Sequence, residues 1–356
     1  MFILGLETSC DETAAAIIEG KCAPTKNLVS VRSNIISSQI DIHKKYGGVV
    51  PEVAAREHVS KILPVVNEAI IEAGIKTNQA NKKIKAIAVS AGPGLITSLL
   101  VGLETAKTLA YVWRIPLISV NHIEAHIYAN FIGDSAQIKN LKFPAIILTA
   151  SGGHTMLVLM RGHGRYKTIG ETRDDAAGEA FDKAAQLLGL GYPGGPIISG
   201  KAQNRQAKSK NLKSKITLPR PMIESANFDF SFSGLKTALL YTIKKDHTWK
   251  KKIPDYCYEF QQAIIDVLVK KTISAAKKYK AKTVMLTGGV AANKELRKQM
   301  SKTAKEKLSN VSFIMPNLKY TTDNAAMVAT AGYFKALRKK YIPWQKTKVD
   351  CNLKLK

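Results

Sequence analysis

Short apolar runs alternate with stretches of helical spacing along the whole chain. Residues 2–7 and 14–18 are apolar segments around the polar turn Thr8-Ser9-Cys10-Asp11-Glu12-Thr13, the pattern of a hairpin with a functional tip. Over 51–73, Val53, Ala54, His58, Ile62, Val65, Val66, Ala69 and Ile70 recur on one helical face. The spacing then predicts strand 86–91, helix 95–112, strand 117–120 and helix 122–131. Residues 86–103 carry no charge, enough for a membrane span by length alone. Gly92-Pro93-Gly94 interrupts them, so a buried strand, a glycine turn and a helix is the better description. A polar stretch at 133–142 leads to a second series. Residues 145–150 and 156–160 flank Ser151-Gly152-Gly153-His154-Thr155, and a helix is expected near 176–188. Residues 189–215, rich in Gly, Pro, Lys and Asn, read as a loop or insertion. Helix 255–279, strand 283–286, helix 292–307, strand 311–314 and helix 323–339 complete the pattern.

The two series resemble each other. Each opens with strand, Ser/Thr/Gly turn, strand, and each later has a buried strand, a Gly turn and a helix, at 86–100 and at 283–297. This weak repeat predicts two similar α/β lobes around a ligand cleft. The first lobe is placed at 1–132, with a C-terminal helix at about 323–340 packing back on it. The second is placed at 133–322, with a Lys-rich insertion near 200–220.

Composition narrows the class. The chain has 356 residues, 45% of them apolar, and its mean hydropathy is −0.08. That excludes a disordered chain and a disulfide miniprotein. Four scattered cysteines without a CxxC pair indicate neither a disulfide framework nor a zinc ribbon. With no basic segment ahead of its short apolar start, the N-terminus does not read as a targeting peptide, and a reducing cytoplasm is expected. The net charge of +27, from 54 basic and 27 acidic residues, favours polyanionic partners. A lysine-rich surface set by base composition is the competing explanation. The candidate nucleic-acid residues are Lys201, Arg205, Lys208, Lys210, Lys213 and Lys215, and Lys250, Lys251 and Lys252.

Four patterns carry candidate chemistry. In Asn121-His122-Ile123-Glu124-Ala125-His126, histidines at i and i+4 share one helix face and suit one metal ion. A zincin protease needs Glu directly after the first His, whereas Glu124 sits one place later on another face. The alternative is a pair of hydrogen-bonded core histidines. Asp323 is a distant candidate for the third ligand, or else a helix N-cap. Two His and one carboxylate leave coordination sites open for substrate or water. The turns 151–155 and 287–290 can bring backbone N–H groups close to an anion, or are simply tight turns. Asn293 after the second turn can bond a ligand or cap its helix. Glu179 and Asp182 share a helix face beside the rigid Tyr192-Pro193-Gly194-Gly195-Pro196 turn. Glu7, Asp11 and Glu12 at the hairpin tip suit acid–base or positioning work, or cap a turn.

Together these motifs resemble the tRNA N6-adenosine threonylcarbamoyltransferase (TsaD) family. The carrying segments are GLETSCDET (5–13), NHIEAH (121–126), SGGHT (151–155), DDAAGEAFDKAA (174–185), GYPGGP (191–196), FSFSGLKTA (230–238), TGGVAANKELR (287–297) and YTTDNAAM (320–327). They stand in the family's order and span nearly the whole chain; His154 in SGGHT is similar to the bacterial and organellar branch. The resemblance implies an actin/sugar-kinase/Hsp70-like fold of two α/β lobes around a nucleotide cleft. It implies transfer of threonylcarbamoyl from threonylcarbamoyl-AMP to N6 of adenosine 37 in tRNAs reading ANN codons, releasing AMP. His122, His126 and Asp323 match the family's ligands for one divalent Fe or Zn ion per subunit. Thr149, Ala150, Ser151, Gly152, Gly153, Asp182, Gly195 and Asn293 match its adenylate-binding positions. Asp11 and Glu12 match acids associated with catalysis. Ser199 departs from the pattern where some members carry an acid, so one ribose contact of the family does not carry over from the resemblance. A paralogous partner subunit and a small ATPase are the implied partners, with no membrane role. A metallopeptidase and a small-molecule kinase of the same superfamily are the alternatives; the displaced Glu argues against the first and the His pair against the second.

Overall fold

A computed structural model describes residues 1–23, 26–133, 141–208 and 216–356, and side chains there except at 22–23, 26–28 and 206–208. The chain divides into two compact units: Met1–Asn140 with His163–Arg165 and Pro316–Lys356, and Leu141–Gly162 with Tyr166–Met315. The second unit therefore runs from 141 to 315 rather than from 133 to 322, apart from the short turn at 163–165.

The first unit holds β1 (Phe2–Glu7), β2 (Glu12–Ala23), β3 (Lys26–Ser38), β4 (Ile84–Gly92) and β5 (Leu117–Asn121), in the order β3-β2-β1-β4-β5. β1 pairs antiparallel with β2, in register Leu6↔Ala15 and Glu7↔Ala14, and parallel with β4. One face of this sheet packs Leu4, Leu6, Ile17, Ile87 and Val89 on helices α1 (Pro51–Glu72) and α2 (Ile96–Trp113). After β5 comes the short helix α3 (His122–Tyr128). The opposite face takes the C-terminal helix, here α9 (Ala325–Leu337). Helix and sheet come close there because one of the two carries a glycine at each contact. A Cβ on Gly5 would collide with the Ala325 carbonyl, and one on Gly332 with the Ala88 side chain.

The second unit repeats this topology. Its strands β6 (Ala145–Ala150), β7 (Thr155–Gly162), β8 (Arg165–Glu171), β9 (Thr283–Thr287) and β10 (Ser312–Ile314) run in the order β10-β9-β6-β7-β8. β6 and β7 are antiparallel, β6 and β9 parallel, β9 and β10 parallel, as for β1, β2, β4 and β5. The internal repeat in the sequence is thus a repeat of strand order. The core of this unit joins Ile146, Leu148, Leu157 and Leu159 to helices α4 (Ala177–Leu187), α5 (Gly194–Lys208), α6 (Ser233–Lys245), α7 (Ile253–Lys278) and α8 (Lys294–Lys307).

Residues 189–215 are not a continuous loop: α5 occupies 194–208. Ile198 and Ala202, at i and i+4, are fully buried and supply its inner face, while Lys, Gln, Asn and Arg elsewhere disguise it as an insertion. β3, β8 and α6 were also absent from the sequence pattern. Among the described residues, no helix is long and apolar enough to cross a membrane.

Candidate functional site

The metal-binding candidate is built by two chain segments of the first unit. Asn121 ends β5 and caps α3, its Oδ1 accepting from the Ile123 and Glu124 N–H groups at 2.9 and 3.2 Å. This starts the helix so that His122 and His126 point the same way, ring centroids 4.6 Å apart. Asp323 lies just before α9. The expected N-cap role there belongs to its neighbour, since Asn324 Oδ1 accepts from the Met327 N–H at 3.0 Å. Asp323 Oδ1 instead lies 3.1 Å from His126 Nε2 and 3.6 Å from His122 Nε2. One ligand atom from each of the three residues lies within 4.8 Å of the others.

Glu7, at the end of β1, stands behind His122. It is fully buried, and its Oε2 lies 3.1 Å from His122 Nδ1. The Ser90 hydroxyl donates to the same oxygen at 2.5 Å, and the Ser9 N–H donates to Oε1 at 2.7 Å. A carboxylate accepts, so Nδ1 carries a proton, and in the neutral imidazole that a metal ion requires the lone pair is on Nε2, the nitrogen that faces Asp323. Burial opposes charge on His122, but Asp323 and Glu7 outweigh it and push the pKa up to about 9. Burial works against ionised Glu7 too, and His122 overcomes it, holding that pKa below the usual value. The Glu124 carboxylate is engaged elsewhere, 2.9 Å from Lys335 Nζ on α9 and 3.8 Å from Arg338 just after it. It is no zincin-type general base for this pair.

The hairpin tip is a second cluster of the same unit. Asp11 is buried and Glu12 half-buried. Burial, then the charges of Asp11 and Asp323, push the Glu12 carboxyl well above its ordinary range. Burial and the same acids raise the Cys10 thiol. Thr8 Oγ1 donates to the Ser98 carbonyl at 2.8 Å, and the Ser9 carbonyl accepts from the Leu95 N–H at 2.8 Å.

The expected adenylate positions lie in the second unit, on backbone turns packed tightly on one another. Thr149 and Ala150 are buried at the end of β6. Ser151 closes the turn, its N–H donating to the His154 carbonyl at 2.8 Å and its carbonyl accepting from the Gly178 N–H at 3.1 Å. Gly178 must be glycine: a Cβ there would lie 2.6 Å from the Ser151 carbonyl oxygen. A Cβ at Gly152, Gly153, Gly195 or Gly289 would meet nothing within 4 Å, so these backbones face open space. The Thr149 hydroxyl is buried without a hydrogen-bond partner among the described residues.

Asp182 and Glu179 do not act as a pair. Asp182 Oδ1 accepts from the Gly194 N–H at 2.7 Å, and Glu179 meets Lys183 at 2.8 Å. Asn293 caps α8, its Oδ1 accepting from the Leu296 N–H at 3.0 Å, while its Nδ2 donates to Gln261 at 2.8 Å. One amide hydrogen and one lone pair remain for another contact. Of the basic candidates, Arg205 is engaged by Asp255 at 2.8 Å and stacks 4.2 Å over Tyr258. Lys252 pairs with Asp246 at 2.9 Å. Lys210, Lys213 and Lys215 lie outside the described residues, as does the Lys208 side chain. The role of Ser90 beside Glu7 gives no sign in the sequence, because a lone serine in an apolar strand makes no pattern.

Known proteins show which family the chain resembles. The family model for tRNA N6-adenosine threonylcarbamoyltransferase matches residues 30–330. A protein of that name from Dehalococcoides mccartyi is 50% identical over 335 residues, 94% of each chain. One from Syntrophomonas wolfei is 48% identical over 342 residues, covering 96% of this chain and 94% of its own. Among solved structures, full-length HypF in its phosphate- and nucleotide-bound form superimposes with TM-score 0.59 at 12% identity, over 96% of this chain and 47% of its own. The activator of 2-hydroxyisocaproyl-CoA dehydratase from Clostridium difficile, with bound ADPNP, gives 0.51 at 13% identity, over 96% and 98%. These structural likenesses place the fold in the actin/sugar-kinase/Hsp70-like class. With half the residues of a full-length relative retained, the chain belongs to the tRNA N6-adenosine threonylcarbamoyltransferase family of transferases.

Proposed function

We propose that the protein transfers threonylcarbamoyl from threonylcarbamoyl-AMP to N6 of adenosine 37 in tRNAs reading ANN codons, releasing AMP. The observation that carries the reading is the His122, His126 and Asp323 cluster with Glu7 behind it. Two imidazole nitrogens and a carboxylate oxygen, with one tautomer already set, form a donor set suited to Fe²⁺ or Zn²⁺. His122, His126 and Asp323 would hold a divalent ion, which would supply Lewis acidity to polarise or orient the threonylcarbamoyl group.

The chain's own groups account for the rest. The N6 lone pair bonds to the carbamoyl carbon, the bond from that carbon to the phosphate oxygen breaks, and AMP leaves with its electron pair. The N6 proton then needs an acceptor. Glu12 suits this role, because burial and the neighbouring acids raise its pKa and make its carboxylate a stronger base than an ordinary one. The open glycine turns at 152–153, 195 and 289 let adenylate phosphate and ribose approach backbone N–H groups. The Thr149 hydroxyl and the spare capacity of Asn293 suit ribose or base contacts.

The net charge of +27 fits a tRNA substrate. Exposed Val59 and Leu63 on α1, with Ile96 and Leu100 on the adjacent α2, support a partner subunit on that face, and we assign it to a paralogue working with a small ATPase in the cytoplasm. The test is mass analysis of tRNA nucleosides after incubation with threonylcarbamoyl-AMP. Threonylcarbamoyladenosine and AMP should appear in equal amounts. No product, even with the partner proteins added, would refute the assignment.

A further inference from the structure

Behind the hairpin tip runs a chain of buried polar groups that neither the metal cluster nor the transfer step uses. His58 on α1 and His43 are fully buried, Thr13 is fully buried, and Gln39 is 2% exposed. Each hydrogen bond among them fixes the next. The Val50 N–H can only donate, so His43 Nδ1 accepts it, at 3.3 Å. His43 Nε2 therefore carries the proton and donates to Gln39 Oε1 at 3.0 Å. That orients the Gln39 amide, whose Nε2 donates to the Ala54 carbonyl at 3.3 Å and faces His58 Nδ1 at 3.5 Å. Thr13 Oγ1 lies 2.7 Å from the same Nδ1. With Nδ1 accepting, His58 Nε2 carries its proton and donates to the Cys10 carbonyl at 3.0 Å. Burial holds the His58 imidazole below its ordinary pKa, in the neutral form this chain requires.

The relay ends at the acidic tip. The carbonyls of Ser9, Cys10 and Asp11 are held by three different groups: the Leu95 N–H, His58, and the Gln39 N–H at 3.0 Å. The second is the last bond of the relay, and the third comes from the backbone of a residue whose side chain belongs to it. We infer that His58 is a positioning residue for Asp11 and Glu12: it holds the Cys10 carbonyl, and Thr13 and Gln39 lock it in the tautomer able to do so. The inference rests on the proposed catalytic role of the tip. The competing explanation is a core histidine that merely fills space in α1.

Two replacements separate these. In His58→Gln an amide nitrogen can reach the place of Nε2 and bond Cys10. In His58→Asn the side chain stops near Nδ1 and cannot. Positioning predicts near-normal turnover for His58→Gln. For His58→Asn it predicts a 10- to 100-fold fall in kcat, with KM for threonylcarbamoyl-AMP and bound metal unchanged. Hydrogen exchange of the peptide spanning residues 8–13 should accelerate at least tenfold in His58→Asn and little in His58→Gln. Thr13→Val, which removes the hydroxyl at constant shape, should loosen the same peptide to a lesser degree, and it serves if His58→Asn does not fold. Equal exchange at the tip in wild type and Thr13→Val, or in the Gln and Asn variants, would overturn the inference. Asp11→Asn and Glu12→Gln run beside these report on the tip itself. Full turnover in both would remove the catalytic reading, while tip exchange would still decide the role of His58.

Discussion

Replacing Glu7 by Gln asks whether the tautomer of His122 matters. The carboxylate is fully buried and accepts three hydrogen bonds: from Ser9 N–H at 2.7 Å, from the Ser90 hydroxyl at 2.5 Å and from His122 Nδ1 at 3.1 Å. Glutamine has the same shape, and its oxygen can keep the bond from Ser9. Its amide nitrogen then faces His122 Nδ1, where only an acceptor suited the protonated nitrogen. Two donors cannot share that contact, so the neutral imidazole that a metal ion requires is driven to the tautomer with its proton on Nε2, the atom that faces Asp323. A ligand with its lone pair turned inwards binds metal poorly. Loss of such an orienting partner typically costs 10- to 100-fold in metal affinity, or about 1.4–2.8 kcal/mol. The assay is competition for Zn²⁺ between metal-free protein and a chromophoric chelator, with the melting temperature recorded alongside. Ser90→Ala removes one bond to Glu7 but leaves the carboxylate, and should weaken binding only a few-fold. A folded Glu7→Gln protein with zinc affinity within twofold of wild type would refute the argument.

Four further outcomes follow from the same geometry. Metal-free protein should lose stability as pH rises from about 6.5 to about 9, because His122 is protonated in the folded state over that range and its pairing is lost above it; Asp323→Asn should flatten this limb in urea titrations. His163 behaves oppositely: burial, then Arg338, push its pKa down to about 4, so stability should fall as pH drops from about 6.5 to 4, by at most about 3 kcal/mol, and His163→Phe should flatten that acid limb. Gly178→Ala sets a methyl 2.6 Å from the Ser151 carbonyl oxygen and should cost about 1–3 kcal/mol while weakening AMP binding measured by calorimetry, whereas Gly153→Ala, facing open space, should fold normally. Asn121→Ala removes the cap of α3 and the bond from Nδ2 to the Leu353 carbonyl at 2.9 Å, and should lower stability by about 1–2 kcal/mol with reduced metal affinity.

The sequence was most legible where apolar period and local chemistry coincide. The hairpin, α1, α2 and the central strands β4, β6, β7 and β9 announced themselves through runs of buried residues. α5 did not, because only Ile198 and Ala202 mark its inner face, and the Gly-Gly-Pro at its start reads as a turn when seen without the helix behind it. β3 was missed because it pairs along one edge with β2 only, and a strand at the edge of a sheet can mix Ser, Asn and Arg with its apolar residues.

The site divides along a different line. The spacing of His122 and His126 is a helical fact, readable from the chain alone, whereas the third residue is not. Asp323 and Asn324 are adjacent, both short and polar, and either can cap the helix that follows. Only the backbone direction decides which does, and here the cap falls to Asn324. Asp323 is thereby left at the point where the end of β5 and the start of α9 come together. The same holds for His58, which sits among apolar positions at helical spacing and looks like a core residue by every local criterion. Its partners Cys10, Thr13 and Gln39 lie 19 to 48 residues away and belong to no shared motif. A periodicity argument can say that such a histidine is buried. Which nitrogen carries its proton, and so what it can hold in place, depends on neighbours brought together by the sheet.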